Sequence, residues 1–434
     1  MTDTSLETEK NTTSDLIQTW GKIGIQSFGG PTAQIALMHR VLVDEKGWLT
    51  EKQFLSALSF CMLLPGPEAM QLATYAGWKQ RGTVGGLIAG SLFVLPGAFV
   101  ILALASLYMK FGDVPGVQAA FLGIKAAVLA IVIEALVKIS KRALAGSGHY
   151  LLALFAFAAL FAVQLPFPLV ILVAGICGAL FLHQPAETGP APTLPSGSLK
   201  RLAKTVSVWL TLWLLPIAAL FLMLGKGHIL TGLSVFFSKL AVVTFGGAYA
   251  VLAYMAGDVV TNQGWLQAEQ MIDGLGLAET TPGPLILVTE FVGFVAAYQW
   301  NGSSSFLMGL AGALVTLWVT FVPCFLWIMA GAPYIDWISS RPRLKAALAA
   351  ITAAVVGVIA NLSLWFSLHI LFGKLDQTAI GPLNLLLPDP ASIDLFILAL
   401  TVLNGYLLLV RKWNLFWLLG LSAGASWIFE SFSL

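Results

Sequence analysis

Four short tracts place glycine and proline inside otherwise apolar runs: Ser27-Phe28-Gly29-Gly30-Pro31, Pro65-Gly66-Pro67, Thr244-Phe245-Gly246-Gly247 and Thr281-Pro282-Gly283-Pro284. Helix interiors disfavour both residue types, so each tract should end one helix and start another. A helix start leaves backbone N–H groups without partners at the positive end of the helix dipole. Such a start suits a small anion. Glycine lets a ligand approach the backbone closely, and proline fits the first helical turn without removing a needed donor. The chemistry on offer is oxyanion binding by N–H groups, with the hydroxyls of Ser27, Thr244 and Thr281 nearby. The plainer alternative is that the breaks are kinks or close-packing points. Two motifs, each duplicated at matched spacing, weigh against it.

Ionisable residues near the breaks extend this reading. Glu68 opens the helix after Pro67, with Gln71 and Tyr75 on the same face at i+3 and i+7. The aligned positions of the second copy are Leu285, Val288 and Val292, with Glu290 one step round. A carboxylate beside an anion site repels it unless protonated, so Glu68 or Glu290 is a candidate proton carrier. A charge stabilised by the helix dipole is the alternative. Lys125 lies mid-span and needs a counter-charge, either a bound anion or a carboxylate on a neighbouring helix. Glu134 and Lys138, at i and i+4, fit an ordinary pair. Lys22 and Arg40 flank the first break and could reach an anion there, although Lys22 could equally snorkel to the headgroups. Cys61, Cys177 and Cys324 lie far apart in apolar runs and read as small buried hydrophobes, with no metal or disulfide spacing. No metalloprotease, nucleophile-elbow or phosphate-loop motif occurs, so neither an enzyme nor an intrinsic ATPase is indicated, and no cofactor is expected.

The elements that carry these residues must lie in a membrane. The chain has 434 residues, 58% hydrophobic and 10% charged, against about a quarter charged in soluble domains. The polar N-terminal stretch has no basic region before an apolar core, so no cleaved signal peptide is expected. The motifs repeat in register: Phe28-Gly29-Gly30, Trp48-Leu49 and Pro65-Gly66-Pro67 recur 217 positions on as Phe245-Gly246-Gly247, Trp265-Leu266 and Pro282-Gly283-Pro284. Leu95-Pro96-Gly97 and the tract beginning at Gly123 find counterparts 227 positions on, so the second copy holds about ten extra residues between. A span needs roughly 20 apolar residues. The first copy offers interrupted segments near 15–44 and 52–78, then runs near 84–109, 116–138, 150–164 and 167–182. The second offers interrupted segments near 229–256 and 268–299, then runs near 304–332, 344–372, 392–410 and 414–432.

The expected fold is therefore an all-α polytopic membrane protein with about 9–13 membrane segments: an N-terminal tail (1–14), a first repeat (15–183), an exposed linker (184–205), one unpaired span (206–225) and a second repeat (226–434). Six segments and one odd span precede the second copy, so it should enter from the opposite side. Inverted-topology repeats are a transporter signature. With the N-terminus cytoplasmic, Lys and Arg collect on inside loops. Re-entrant hairpins improve that bias over full crossings, because Arg40, Lys46 and Lys52 then also fall inside, while the stretch 258–273 carries no Lys or Arg.

The tract running from Leu64 to Trp78, together with Phe28-Gly29-Gly30-Pro31, Phe245-Gly246-Gly247-Ala248 and Thr281-Pro282-Gly283-Pro284, resembles the chromate ion transporter superfamily in its long, two-domain form, over about residues 15–430. The resemblance implies chromate export across a bacterial inner membrane, coupling to the proton-motive force, chromate resistance, and sulfate as competitor. Expected partners are chromate and the bilayer, with a homodimer left open and no nucleic acid. Ala248 stands where Pro31 does, and Glu68 has no counterpart, so the two halves have diverged. A carrier for sulfate or another oxyanion, or a membrane scaffold subunit, remains an alternative.

Overall fold

The computed structural model describes residues 12–182, 199–245, 247–302, 304–339, 341–380 and 383–433. The first interrupted segment is α1 (Thr13–Gln26) followed by α2 (Gly30–His39), and the second is α3 (Glu51–Met62) followed by α4 (Glu68–Phe111). Their starts are encoded locally. Thr12 and Thr50 cap α1 and α3 with reciprocal side-chain bonds to the third residue of each helix. Gly29, at φ 82°, precedes α2, and Pro31 sits in its first turn. Despite its length α4 is not one rod, because Arg81 and Gly82 leave helical geometry and divide it into arms 68–80 and 83–111.

Next come α5 (Pro115–Ala143), α6 (Ser147–Phe161), α7 (Phe167–Phe181) and α8 (Leu199–Leu224). The second half holds α9 (Ile229–Val243), α10 (Ala248–Gly257), α11 (Ala268–Thr280), α12 (Val288–Tyr298), α13 (Phe306–Gly331), α14 (Ile335–Ser339), α15 (Pro342–Leu371), α16 (Leu395–Leu409) and α17 (Leu415–Ser433). Among the described residues six helical stretches are long and apolar enough to cross a membrane, and five shorter apolar helices accompany them. The protein is a helical, multi-pass membrane protein.

The helical fold carries one short antiparallel pair, β1 (Leu375–Ile380) and β2 (Leu383–Pro388), between α15 and α16. Helix α8 begins at Leu199, within the stretch expected as linker; residues 184–198 of that linker and 1–11 of the tail lie outside the described residues. Between α12 and α13 the chain leaves the helix for several residues, whereas α4 is interrupted only by the Arg81–Gly82 kink.

Both interrupted segments of the first half double back. Arg81 donates to the Thr13 hydroxyl at the start of α1, and Gln80 donates to the carbonyl of Trp48, just beyond α2, at 2.9 Å. The start of α1, the end of α2 and the end of the 68–80 arm therefore share one edge, and the breaks lie at the far tips. The second half does the same with different residues: Gln299 donates to the Trp265 carbonyl at 2.6 Å, and the His228 ring at the start of α9 lies tilted against Trp300 with centroids 4.4 Å apart. The recurrent Trp-Leu motif thus marks the return of each hairpin, where a wide turn also ends (Arg40–Glu45 and Asp258–Asn262).

The tips interlock. The Gly66 N–H donates to the Thr244 carbonyl at 2.8 Å, and the Gly283 N–H donates to the Ser27 carbonyl at the same distance. Cys324 of α13 presses on Gly66, where a Cβ would lie 2.9 Å from its sulfur, and Gly97 of α4 presses on the Pro282 carbonyl. Backbone freed from helices at membrane depth must be satisfied inside the protein; here each half does this for the other. The outer helices are exchanged likewise, with α15 against α6 and α7, and α5 against α16 and α17.

Candidate functional site

The tips bound a cavity of about 630 Å³. Gly29, Gly30 and Pro31 at the start of α2, and Gly247 and Ala248 at the start of α10, line it beside Gly66 and Glu68. Two helix starts from the two halves therefore open on one space. Glu68 lies close to Gly247, whose missing Cβ would be 3.5 Å from its carboxylate. Lys138, Lys141, Arg142 and Lys412 line the same cavity. Of these, Lys138 is bound to Glu134 at 2.7 Å, which is the ordinary pair expected from their spacing. Glu279, also lining the cavity, accepts a bond from the Tyr249 hydroxyl at 2.8 Å. The arrangement offers backbone donors and a cationic mouth to an anion, and a carboxylate at the same wall.

The structure divides the expected contacts. Gly66 and Gly283 have their N–H groups engaged in the cross-bonds, so these two donors hold the fold together. The Ser27, Thr244 and Thr281 hydroxyls each donate to a carbonyl of their own helix, those of Ile23, Leu240 and Ala278. Pro65 accepts from Gln71 Nε2 at 2.7 Å, so Gln71 braces its own loop, while Pro67 precedes the first residue of α4. Pro282 and Pro284 flank Gly283, and Gln34 donates to the Gly283 carbonyl at 2.6 Å and to the Ser27 carbonyl at 3.3 Å. Phe28 meets the edge of Phe416. Phe245 packs against the core, and Gly246 lies outside the described residues. Lys22 is exposed, and Arg40, exposed as well, pairs with Glu45 at 3.4 Å. Neither Lys22, Arg40 nor Glu290 lines this cavity, and Glu290 is buried.

Lys125 belongs to a second cavity, of about 770 Å³, at the other end of α5. Its counter-charge is a carboxylate on a neighbouring helix: Nζ lies 3.5 Å from Asp273 Oδ1 of α11. The Tyr108 hydroxyl donates to Asp273 Oδ2 at 2.9 Å. Sequence reasoning missed Asp273, Tyr108, Tyr249 and Glu279. Asp273 falls within the expected segment 268–299, and the residue 217 positions before it is Ser56, so the matched spacing carried no signal. A carboxylate within the apolar run of α11 was the available clue.

Comparison with known proteins places the chain in a family. The family described as chromate transporter matches the chain twice, over residues 14–179 and 231–427. A chromate transport protein of Cupriavidus metallidurans is 31% identical over 352 residues, covering 80% of this chain and 81% of that one. A chromate transport protein of Pseudomonas aeruginosa is 32% identical, covering 78% and 77%. An uncharacterized transporter of Methanocaldococcus jannaschii is 27% identical over 389 residues, covering 89% and 92%. No solved structure matches the fold. On the double family match and these identities, the chain belongs to the chromate transporter family.

Proposed function

We propose that this protein is a secondary carrier that exports chromate across a bacterial cytoplasmic membrane, coupled to the proton-motive force, and so confers chromate resistance. The observation that carries the reading is the cavity at which the starts of α2 and α10 meet behind a mouth of lysine and arginine. Chromate is a tetrahedral dianion, and backbone N–H groups read charge and shape, so sulfate should compete. The reciprocal bonds between the tips, and hairpin bases gathered around Arg81 in one half and Trp300 in the other, support two inverted repeats. The Lys/Arg-rich face is then cytoplasmic, together with the N-terminus. That orientation supports outward transport. A dianion leaving a cell that is negative inside gains about 4.6 kcal/mol per 100 mV, from about 2.3 per charge.

Glu68 is the better-placed proton carrier, since it lines the cavity and Glu290 does not. Everted vesicles carrying the protein are expected to accumulate chromate when acidified inside, with excess sulfate reducing uptake. Glu68→Gln is expected to keep chromate exchange between the two sides but to lose the response to the pH gradient. No uptake by the unmodified protein under a proton gradient would overturn export; an intact gradient response in the variant would overturn the role of Glu68.

A further inference from the structure

The two cavities lie along one seam. On α5, residues up to Lys125 line the cavity near Pro115, and residues from Ile131 onward line the one that holds the helix starts. On α11, Asp273 faces the first and Glu279 the second. Six residues separate the pair on each helix, about 9 Å at 1.5 Å per residue. Between them α5 is buried from Ala126 to Ala130, and Gly276 of α11 is packed against Ile124 and Val128. Only one or two helical turns of apolar packing divide the two spaces.

The ion pair at the edge of this divide is unlike a sealed structural bridge. Lys125 and Asp273 are 16% and 6% exposed, yet their charged atoms are 3.5 Å apart, beyond the roughly 2.7–2.9 Å of a charge-assisted bond. Asp273 Oδ1 is buried and accepts no hydrogen bond. By contrast Glu134 and Lys138 close to 2.7 Å. Both members of the loose pair border open space, and Tyr108 supplies a hydroxyl donor to the same carboxylate. One ammonium and one hydroxyl directed at an oxygen pair is a donor set for an oxyanion, and a carboxylate is the oxyanion that the chain itself carries. The rim of this cavity is acidic, with Asp113, Glu269 and Glu430. Negative charge at that mouth opposes the entry of an anion from outside.

We infer that the two cavities are the vestibules of one anion path, and that Asp273 gates it by holding the anion's place at Lys125 and Tyr108. The inference deepens the oxyanion-carrier reading and rests on it. The anion reaches Lys125 only when Asp273 withdraws, and its departure lets the carboxylate return.

The test is chromate counterflow in proteoliposomes with the full chain, alongside thermal stability of each purified variant. Asp273→Asn removes the internal competitor, so the half-saturating chromate concentration is expected to fall at least five-fold. Lys125→Gln is expected to reduce counterflow at least ten-fold, and the double variant should remain as poor as Lys125→Gln. A purely structural pair predicts the reverse: each single variant loses stability, and the double variant recovers both stability and transport. That result, or an unchanged half-saturation in a stable Asp273→Asn protein, overturns the gate. If the unmodified protein shows no chromate counterflow, the carrier reading itself fails instead.

Discussion

Two glutamines show how individual residues divide the labour at the breaks. Gln34 and Gln71 are both fully buried, and each spends its amide N–H on loop carbonyls that no helix could satisfy. Removing such a partner leaves a buried acceptor unmatched, at about 1–3 kcal/mol. Lys138, at 62% exposure, forms a pair of the surface type, which contributes at most about 1 kcal/mol. Gln34→Leu is therefore expected to lower stability by about 1–3 kcal/mol, and Lys138→Gln by less than about 1 kcal/mol. Unfolding of the purified variants in detergent measures both. Equal losses would mean that the Gln34 bonds to Ser27 and Gly283 do not hold the tips. Pro31, Gly29 and Gly247 were legible as helix-start residues because their conformations are set by their own backbones. The hydroxyls of Ser27 and Thr244 were not, since whether a hydroxyl faces a ligand or its own helix is decided by its surroundings.

Among elements, helices without a hydrophobic drive for association rely on close approach, so small residues mark their crossings. Gly97 of α4 lies against the Pro282 carbonyl, and Gly123 of α5 against the Ser422 backbone. Gly97→Ala would drive a Cβ into a carbonyl oxygen that cannot withdraw without displacing the Pro282–Pro284 loop. Overpacking of this kind costs about 1–3 kcal/mol. Gly405→Ala of α16, where a Cβ meets nothing within 4 Å, is expected to stay within about 0.5 kcal/mol. Thermal stability of the pair, measured side by side, decides whether the α4 crossing holds the second loop. A Gly97→Ala protein as stable as Gly405→Ala would show that it does not. Most helix limits were readable from the sequence, because apolar runs, caps and prolines are local. The β1–β2 pair was not, lying between two apolar runs that suggested only a connection.

At the scale of the whole molecule, α5 sets the axis. Its 29 residues extend about 43 Å at 1.5 Å per residue, more than the roughly 30 Å hydrocarbon core. Its ends must therefore reach opposite faces, and one cavity lies near each end. A membrane-impermeant maleimide applied to sealed vesicles is expected to label Lys141→Cys from one side and Asp113→Cys from the other. With the Lys/Arg-rich face inside, Lys141→Cys should react only in everted vesicles, and Asp44→Cys should share its side because the first hairpin turns back. Labelling of both Lys141→Cys and Asp113→Cys from one side would overturn the two-vestibule path.

The amino-acid order alone determined that this chain lives in a membrane, since so few charges cannot hold so apolar a surface in water. It also determined where the helices break and that the breaks come in matched sets, because glycine, proline and apolar periodicity act on their immediate neighbours. Only the tertiary structure decided what the breaks do to one another. The bonds from Gly66 to Thr244 and from Gly283 to Ser27, and the meeting of Lys125 with Asp273, join residues far apart in sequence. Such pairings leave no local pattern, because they arise only when the two halves of the chain fold around each other and each must satisfy the backbone that the other exposes.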